Sequence, residues 1–477
     1  MPSLELDLLN RRRFLLTSAA ALGPLAALAA RTETRPAPWD GPAAVKRVYL
    51  GMRPSWPRPD VDLKQDIAAI ETQLQELERR YPGQIRFTGG EHIKDAAEMS
   101  AWLAGAGDAD VVLAFNMVTI VFPMLRRLVE SGKPAVMFSV PYQGHDWSHA
   151  AAYAQKGAKL ELIASSDFTA LDEYVPLFRT IHHLRHSKVL LVSPPKNHPR
   201  GEGYTEQFGT SFACPTYQEL KSAFEAVDPH QAARLADEFI RAAAKVVEPT
   251  RGEIIDSMKL YLGIHDVLQR ERANAIAIDC LGGFGRKELP AYPCVAFSKL
   301  NDAGLYGVCE CDLESTMTQL LITSFSRRPG FVSDPVFDAS RNEVIHAHCV
   351  AATRMQGLET PPCPYLVRSH LEDHKGVSMQ VLTPPGEPVT VAKFTSPREL
   401  LLSTGEALGN VDNERGCRTK IRTKVQDARK LLSQWASNLD PTAGTRDLLH
   451  RVVFYGDYST QVEKLAQLTG FRIVREG

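Results

Sequence analysis

The chain has 477 residues, of which 44% are hydrophobic and 23% are charged, and this is the composition of an ordinary globular protein with roughly two to four domains. Its 55 basic residues nearly balance its 56 acidic ones. No excess positive charge is therefore available to neutralise the phosphates of a nucleic acid or of an anionic membrane, and we expect neither as a partner.

The first 30 residues have the pattern of an export signal. A run of arginines precedes Phe14 and Leu15, a weakly apolar stretch follows, and Ala-Leu-Ala at 27–29 is typical of a cleavage site. This order resembles a twin-arginine signal, and the apolar stretch is too short to be a stable transmembrane anchor. We expect residues 1–30 to be a signal peptide and residues 31–41 a flexible linker, with the mature protein periplasmic or extracellular.

An amphipathic helix packed on the first domain is the alternative for this N-terminal stretch. It is less favoured, because so alanine-rich a helix would gain little from packing there. Twin-arginine export carries folded proteins, so a metal could be bound before export.

Predicted strands and helices alternate from residue 42 to residue 328. Strands are predicted at residues 46–53, 85–87, 110–115, 135–140, 189–192 and 275–279. Helices are predicted at residues 63–80, from about 96, and at 120–130, 231–247 and 253–269. This alternation predicts βαβ units with parallel sheets, and hence an N-terminal α/β domain at 42–165 and a second α/β domain at 166–328.

The pattern changes after residue 329, where short apolar segments are separated by Pro, Gly and Asp. Strands are predicted at residues 330–337, 343–350, 377–382, 389–394, 400–403, 451–455 and 471–474, with a helix at 461–469. The sequence therefore predicts a mainly antiparallel β domain at 329–477, in the form of a barrel or a sandwich.

Eight cysteines are irregularly spaced, and none lies in the first 213 residues. Cys309 and Cys311 form C-x-C, not the C-x-x-C of zinc ribbons and redox loops. We expect most of the cysteines to be small buried apolar residues, while one or two disulfides stay open for an exported protein.

Acidic and histidine residues with metal-binding chemistry occur between residues 306 and 350. Glu310 lies between two cysteines expected to be buried, and a buried carboxylate needs a partner or a metal. Asp334 is at the predicted tip of a strand, and His346 and His348 alternate on a strand so that both point to one face. Carboxylate and imidazole ligands together suit manganese, zinc or iron(II).

Each of these residues also has a structural interpretation. Asp334 precedes a proline and is a good turn residue, Glu310 could be half of an ion pair, and His346 is expected to face solvent. The hypothesis of a metal site rests on the set and not on any one member.

Several motifs in this part of the chain, together with the three predicted domains, resemble the L-fucose isomerase and L-arabinose isomerase superfamily. The motifs are Glu310-x-Asp312 before a helix, Asp334 on the next strand, Ala347-His348-Cys349, the segment 368–377 with His370 and Glu372, and residues 449–454 with His450. A glutamate stands at the position of Asp334 in arabinose-type members, so the fucose-type pattern fits better.

The resemblance implies a divalent-metal-dependent aldose–ketose isomerase that works through an enediolate. It implies Glu310 as the catalytic base and Asp334 as its partner, with Asp338 as a rival for the second acid. It also implies a metal, with manganese expected, that is bound by Glu310, Asp334 and His450, with His348 a ligand or a substrate contact.

The substrate side of the site is implied in the same way. His370 lies in the segment that resembles the family's substrate-side segment, and Trp147, beside two histidines, is a candidate for stacking on a sugar ring. Because active sites in this family lie between subunits, the resemblance implies a homo-oligomer that acts on a monosaccharide or a glycoside.

Two other functions stay open. An exported glycoside hydrolase could use the same carboxylate pair as acid and base. A non-catalytic periplasmic sugar-binding protein could also have two α/β lobes.

Two further motifs are interpreted as structural. The glycine-rich segment 282–286 is interpreted as a tight strand–helix turn, although it could bind a phosphate or a sugar. The histidine cluster at 182–186 is at a predicted helix end, where histidines suit the helix dipole.

Overall fold

Three larger sheets and one small sheet organise the described part of the chain, which comprises residues 37–52, 62–437 and 449–477 of a computed structural model. The predicted signal peptide and the predicted linker up to residue 36 lie outside these residues. Pro38–Gly477 form one compact unit. At its start, Pro38–Asp40 form a short 3-10 helix, and the carbonyl oxygen of Trp39 lies 3.3 Å from Nδ1 of His183.

The strands, numbered in chain order, are β1 (Ala43–Leu50), β2 (Ile85–Ile93), β3 (Val111–Asn116), β4 (Ala135–Ser139), β5 (Leu160–Ala164), β6 (Lys188–Val192), β7 (Ser211–Ala213), β8 (Lys245–Val246), β9 (Ala275–Ile278), β10 (Tyr306–Cys309), β11 (Phe331–Asp338), β12 (Glu343–His348), β13 (Tyr365–Arg368), β14 (Ser378–Val381), β15 (Pro388–Ser396), β16 (Glu399–Asn410), β17 (Thr419–Lys424), β18 (Arg451–Tyr455) and β19 (Arg472–Arg475).

The α-helices are α1 (Leu63–Arg80), α2 (Ala96–Ala104), α3 (Phe122–Glu130), α4 (Trp147–Gln155), α5 (Val175–His186), α6 (Glu202–Phe208), α7 (Tyr217–Ala226), α8 (Pro229–Ala242), α9 (Arg251–Glu271), α10 (Cys280–Gly285), α11 (Cys294–Asp302), α12 (Leu313–Ser326), α13 (Ala428–Ser437) and α14 (Ser459–Thr469). In the described ranges we find no helix that combines the length and the apolar character needed to cross a bilayer.

The first sheet has the strand order β2-β1-β3-β4-β5, and all its pairings are parallel. β3 and β4 are buried along their whole lengths, as expected for apolar runs covered on both faces by helices. Helices α1 and α2 start at side-chain caps, and at α2 the carboxylate of Asp95 accepts from the N–H groups of Ala97 and Glu98.

The second sheet has the order β10-β9-β6-β7 and is also parallel. Its strand β10 ends at Cys309, and helix α12 begins a few residues later at Leu313. α12 is buried for most of its length, and Thr318 on it accepts the backbone N–H of Phe394 in β15 through its hydroxyl oxygen. This helix therefore lies between the second sheet and the C-terminal strands.

The C-terminal strands form an antiparallel barrel. The order β15-β18-β11-β12-β17-β16 is closed by the pairing of β15 with β16, and β19 joins β16 in parallel at the outside. The predicted fold class, two parallel α/β layers followed by a mainly antiparallel β region, is confirmed at this level.

The three larger sheets lie within residues 42–165, 166–328 and 329–477 respectively, whereas a small mixed sheet of β14, β13 and β8 crosses the last boundary. The predicted helix at 231–247 is therefore wrong at its end. The chain leaves the helix at Ala242 because the backbone N–H groups of Ala244 and Val247 donate to carbonyl oxygens of β13.

Candidate functional site

Four predicted site residues lie where the second sheet meets the barrel. Glu310 directly follows β10, Asp334 lies inside β11, His348 is the last residue of β12, and His450 directly precedes β18. Three of the four are therefore positioned by barrel strands, and Glu310 is positioned by the carboxyl edge of a parallel sheet.

The side chains of these four residues, which we call the acid–histidine cluster, come close together. Nε2 of His450 lies 3.8 Å from Oε2 of Glu310 and 3.4 Å from Oδ1 of Asp334. Nε2 of His348 lies 3.9 Å from Oδ2 of Asp334, and the two imidazole rings are 5.4 Å apart at a steep angle. The cluster is largely enclosed, because the side chains of His348 and His450 are only 6% and 3% exposed.

Strand register explains why Asp334 and His450 meet. β11 pairs with β18 through Ser333 and Arg451, and one residue further along this ladder Asp334 faces His450. From Asp334 on, β11 pairs with β12 instead. Asp334 therefore lies inside the strand, at the point where its partner strand changes, and not at a strand tip as predicted.

Glu310 projects from an unusual turn. Both Glu310 and Cys311 have left-handed backbone conformations, with φ of 57° and 54°. The N–H of Cys311 donates to the carbonyl oxygen of Ile278 at 3.0 Å, which holds the turn against β9. Two adjacent non-glycine residues in this region cost roughly 1–2 kcal/mol each, and such strain is found preferentially at functional sites.

Asp312 supports the cluster from behind. Its Oδ2 lies 2.8 Å from Nδ1 of His450 and accepts from Nζ of Lys393 at 2.6 Å, while Oδ1 accepts the N–H of Ser315 at the start of α12. The Lys393 side chain is fully buried. A buried carboxylate with this many charged and polar partners holds one orientation, and it holds the His450 ring with it.

The two histidines of the cluster present opposite tautomers. Because Asp312 can only accept at Nδ1 of His450, that nitrogen carries the proton and Nε2 faces Glu310 and Asp334 with its lone pair once the ring is neutral. Nδ1 of His348 instead accepts the backbone N–H of Cys349 at 2.9 Å, which places the proton of a neutral ring on Nε2. His450 is thus arranged as a ligand and His348 as a hydrogen-bond donor.

The electrostatics agree with this assignment for His348 only, because a raised pKa favours the protonated form of His450. Burial lowers the pKa of His348 to about 4, so this ring is neutral at neutral pH. Burial also opposes charge on His450, but the hydrogen bond to Asp312 outweighs it and raises the pKa of His450. Burial raises the pKa of Asp334. Burial opposes ionisation of Asp312 too, yet Lys393 and His450 together lower the pKa of its carboxyl well below the usual range.

The donor atoms could hold a divalent cation, and His348 belongs to both groups that lie close enough. One atom each from Asp334, His348 and His450 lie within 4.8 Å of one another, and so do atoms of Cys309, Glu310 and His348. Oxygen and imidazole donors at such spacing suit manganese, zinc or iron(II).

Other predicted residues lie elsewhere. His370 is near the cluster and lies 2.6 Å from Glu372. Trp147 is the first residue of α4, which precedes β5 of the first sheet, is 48% exposed, and does not belong to the cluster. Asp338 is at the far end of β11, where its carboxylate accepts from Ser340 in a turn, so the structure does not bring this rival acid to the cluster.

The expectation that His346 faces solvent is wrong. Its side chain is buried, between the hydroxyl groups of Ser333 and Thr423, and burial lowers its pKa to about 3. The reason is that the sheet closes into a barrel. The face of β12 that carries His346 could be exposed in an open sheet, but in the barrel it lies inside.

The two motifs interpreted as structural have internal partners. Asp279 caps the glycine-rich segment by accepting the N–H of Gly282, and a side chain at Gly282 would collide with that carboxylate. The histidine cluster 182–186 is at the end of α5, where Nδ1 of His182 lies 2.8 Å from Asp110.

Sequence reasoning missed Lys393 and the supporting role of Asp312. A lysine within the mostly apolar segment Val389–Phe394 was the available signal, since a buried strand carries an ammonium only when an acid neutralises it. The partner lies 81 residues away in the chain.

Comparison with models of protein families gave no match, and a search among curated proteins found no similar sequence.

Proposed function

We propose that this protein is a divalent-metal-dependent carbohydrate-active enzyme and that its reaction is an aldose–ketose isomerisation through an enediolate. The observation that supports this most is that Nε2 of His450 lies within 3.8 Å of a carboxylate oxygen of Glu310 and of Asp334, with the His450 ring oriented by Asp312. The order of two parallel sheets and an antiparallel barrel also agrees with the resemblance to fucose and arabinose isomerases.

Glu310, Asp334 and His450 would hold the metal, for which we propose Mn²⁺. A divalent cation supplies stabilisation of the negative charge that develops on the two sugar oxygens. His348 lies beside these ligands and presents Nε2–H, so its role is to donate a hydrogen bond to a sugar oxygen.

The two carboxylates would share the proton transfers. Glu310 removes the proton from carbon, and Asp334 carries the hydroxyl proton between the two oxygens.

We also propose a cellular location, an oligomeric state and a substrate class. The N-terminal pattern supports twin-arginine export and a periplasmic or extracellular location, and the resemblance supports a homo-oligomer with a monosaccharide substrate.

Metal analysis of the purified full chain, followed by proton exchange, tests the proposed function. We expect stoichiometric Mn²⁺ that is lost in Glu310→Gln, and incorporation of deuterium at the second carbon of an aldose in deuterated water. Full glycosidase activity after chelation would contradict the isomerase and identify the hydrolase alternative. Sugar binding without metal and without exchange would identify a non-catalytic receptor.

A further inference from the structure

Two buried thiols are in contact beside the turn that carries Glu310. Sγ of Cys280 lies 2.9 Å from Sγ of Cys309, and each residue is only 4% exposed. Neither thiol is in a disulfide in the structure. Because a disulfide bond is about 2.05 Å long, an approach of roughly 0.9 Å would join the two sulfur atoms.

Strand pairing brings the two cysteines together. β9 and β10 are parallel neighbours, and Cys309 at the end of β10 pairs with Ile278 at the end of β9. Cys280 follows two residues later, as the first residue of α10. The carboxyl edge of the second sheet therefore holds the two thiols side by side, although 29 positions separate them in the chain.

The backbone on both sides of the pair is held by hydrogen bonds to neighbouring strands. The N–H of Asp279 donates to the carbonyl oxygen of Val192 at 2.8 Å, and the N–H of Cys311 donates to that of Ile278 at 3.0 Å. These bonds keep the two segments at a fixed separation, with the thiols already facing each other. A disulfide would therefore form with little backbone movement, which is the geometric condition for bridging two cysteines.

Cys309 also lies at the edge of the acid–histidine cluster. Its Sγ, a carboxylate oxygen of Glu310 and a ring nitrogen of His348 all lie within 4.8 Å of one another. A thiolate is a soft ligand that suits zinc, whereas carboxylate ligands suit manganese. A free Cys309 thiolate can therefore add a soft ligand beside Glu310, but a sulfur atom bonded to Cys280 cannot, because the thiolate is the form that binds metals.

We propose that Cys280 and Cys309 form a reversible disulfide beside the Glu310 turn, and that its closure removes a thiolate ligand from the metal site. The oxidant is a disulfide of a small molecule or of another protein, and it accepts two electrons. Its sulfur–sulfur bond breaks while one forms between the two cysteines, and the two thiol protons end on the two thiols that the oxidant becomes. The disulfide itself does not depend on the proposed function, whereas its effect on the metal rests on it.

Peptide mapping of the full chain tests the disulfide. The chain is kept in oxidised glutathione until its thiol content is constant, because buried thiols react slowly, and the remaining thiols are then alkylated in denaturant. Trypsin and a glutamate-specific protease release Cys280 in residues 273–286 and Cys309 in residues 300–310, which separates Cys309 from Cys311. We expect mass spectrometry to find these two peptides linked and to find them apart after reduction.

Cys311→Ser is the matched control, since Cys311 is also buried and lies two residues from Cys309. It should keep the link, and Cys280→Ser should lose it. Alkylated Cys280 and Cys309 in the wild type, or a link from either of them to a different cysteine, would overturn the inference.

Cobalt(II) is the probe for the effect on the metal. A thiolate ligand gives Co²⁺ a near-ultraviolet charge-transfer band that oxygen and nitrogen ligands do not give. We expect the band in the reduced wild type and in Cys280→Ser, and its loss in the oxidised wild type and in Cys309→Ser. Zn²⁺ should bind the reduced wild type at least about tenfold more tightly than the oxidised form, while Mn²⁺ affinity changes less than about threefold. A band that is unchanged by oxidation of the linked pair would show that Cys309 is not a ligand.

The two proposals fail separately. If the wild type isomerises aldoses and the two peptides are not linked, the disulfide is wrong and the isomerase stands. If the peptides are linked and the cobalt band is lost on oxidation, but no isomerisation occurs, the isomerase is wrong and the disulfide stands.

Discussion

Among the described residues, acid and histidine side chains lie at metal-binding distances around Asp110 beside the first sheet and around His348 and His450 at the barrel. In the first, both carboxylate oxygens of Asp110 already have partners. One accepts the N–H of Ala44 and lies 2.8 Å from Nδ1 of His182, and the other pairs with Arg185 at 3.3 Å. A metal there would compete with an arginine and a backbone hydrogen bond.

The acid–histidine cluster is arranged in the opposite way. Asp312 takes the hydrogen bonds from the buried Lys393 and from His450. Nε2 of His450 is left directed at two carboxylates, which are 3.4–3.8 Å away. The comparison teaches that residue types and distances alone do not define a metal site. Whether a cation can bind also depends on which partners the ligand atoms already have.

Replacing the buried Lys393 should have the largest effect on stability. Lys393→Met should lower the free energy of unfolding by about 3–5 kcal/mol, because it leaves Asp312 as an unbalanced buried charge. Arg185→Met, at the other group, should cost at most about 1 kcal/mol, since that arginine is 36% exposed. Urea unfolding of both variants measures the difference.

The double variant Asp312→Asn with Lys393→Met serves as its control and should recover part of the lost stability. Loss of less than about 1 kcal/mol in Lys393→Met alone would show that the pair is not desolvated as the structure indicates.

The second largest effect should be on metal affinity, which should differ between the group around Asp110 and the acid–histidine cluster. Glu310→Gln should weaken Mn²⁺ binding by more than about 100-fold, because loss of a direct ligand exceeds the 10–100-fold cost of losing a supporting residue. Asp110→Asn should leave Mn²⁺ affinity unchanged. Equal losses of Mn²⁺ affinity in the two variants, measured by calorimetry, would show that the two groups do not differ as metal sites.

Loss of the supporting carboxylate should have a smaller effect on the metal. Asp312→Asn should weaken Mn²⁺ binding by about 10–100-fold, because the His450 ring loses the acceptor that fixes its tautomer. The electron paramagnetic resonance spectrum of bound Mn²⁺ should broaden. Ser315→Ala removes a different contact of Asp312, the hydroxyl hydrogen bond at 2.7 Å, and should leave the spectrum as in the wild type.

A fall in pH from 7 to 5 should have the smallest effect on the free energy of unfolding, counted per residue. Burial lowers the pKa of His346 to about 3 in the folded state, and the unfolded value is about 6.5, so the stability given by the neutral ring is lost as the pH falls below about 6.5. Between pH 7 and pH 5 this amounts to about 1–2 kcal/mol. His346→Asn should lose that part of the pH dependence in urea unfolding.

Asp110 should not contribute in this range. Burial raises its pKa, but His182 and the N–H of Ala44 outweigh burial and lower it below the ordinary value. A carboxyl with a lowered folded pKa contributes stability above its unfolded pKa, near 3.9, and loses it only at more acidic pH. A loss between pH 7 and pH 5 that persists in His346→Asn but disappears in Asp110→Asn would contradict this assignment.

Much of the fold could be predicted from local pattern. The helix at 63–80 and the buried strands β3 and β4 follow from residue spacing and apolar runs, which are properties of neighbouring residues. The end of α8 could not be predicted, because its last predicted turn is replaced by pairing with β13, more than a hundred residues away.

The sequence by itself determined which side chains are available to the site: a carboxylate after a parallel strand, another on the next strand, and two histidines at strand ends. Only the tertiary structure decided their roles. The pairing of Asp312 with Lys393 and with His450 spans 81 and 138 residues of chain, and barrel closure places His346 inside. Tautomer, charge balance and burial depend on such distant contacts, and no local pattern contains them.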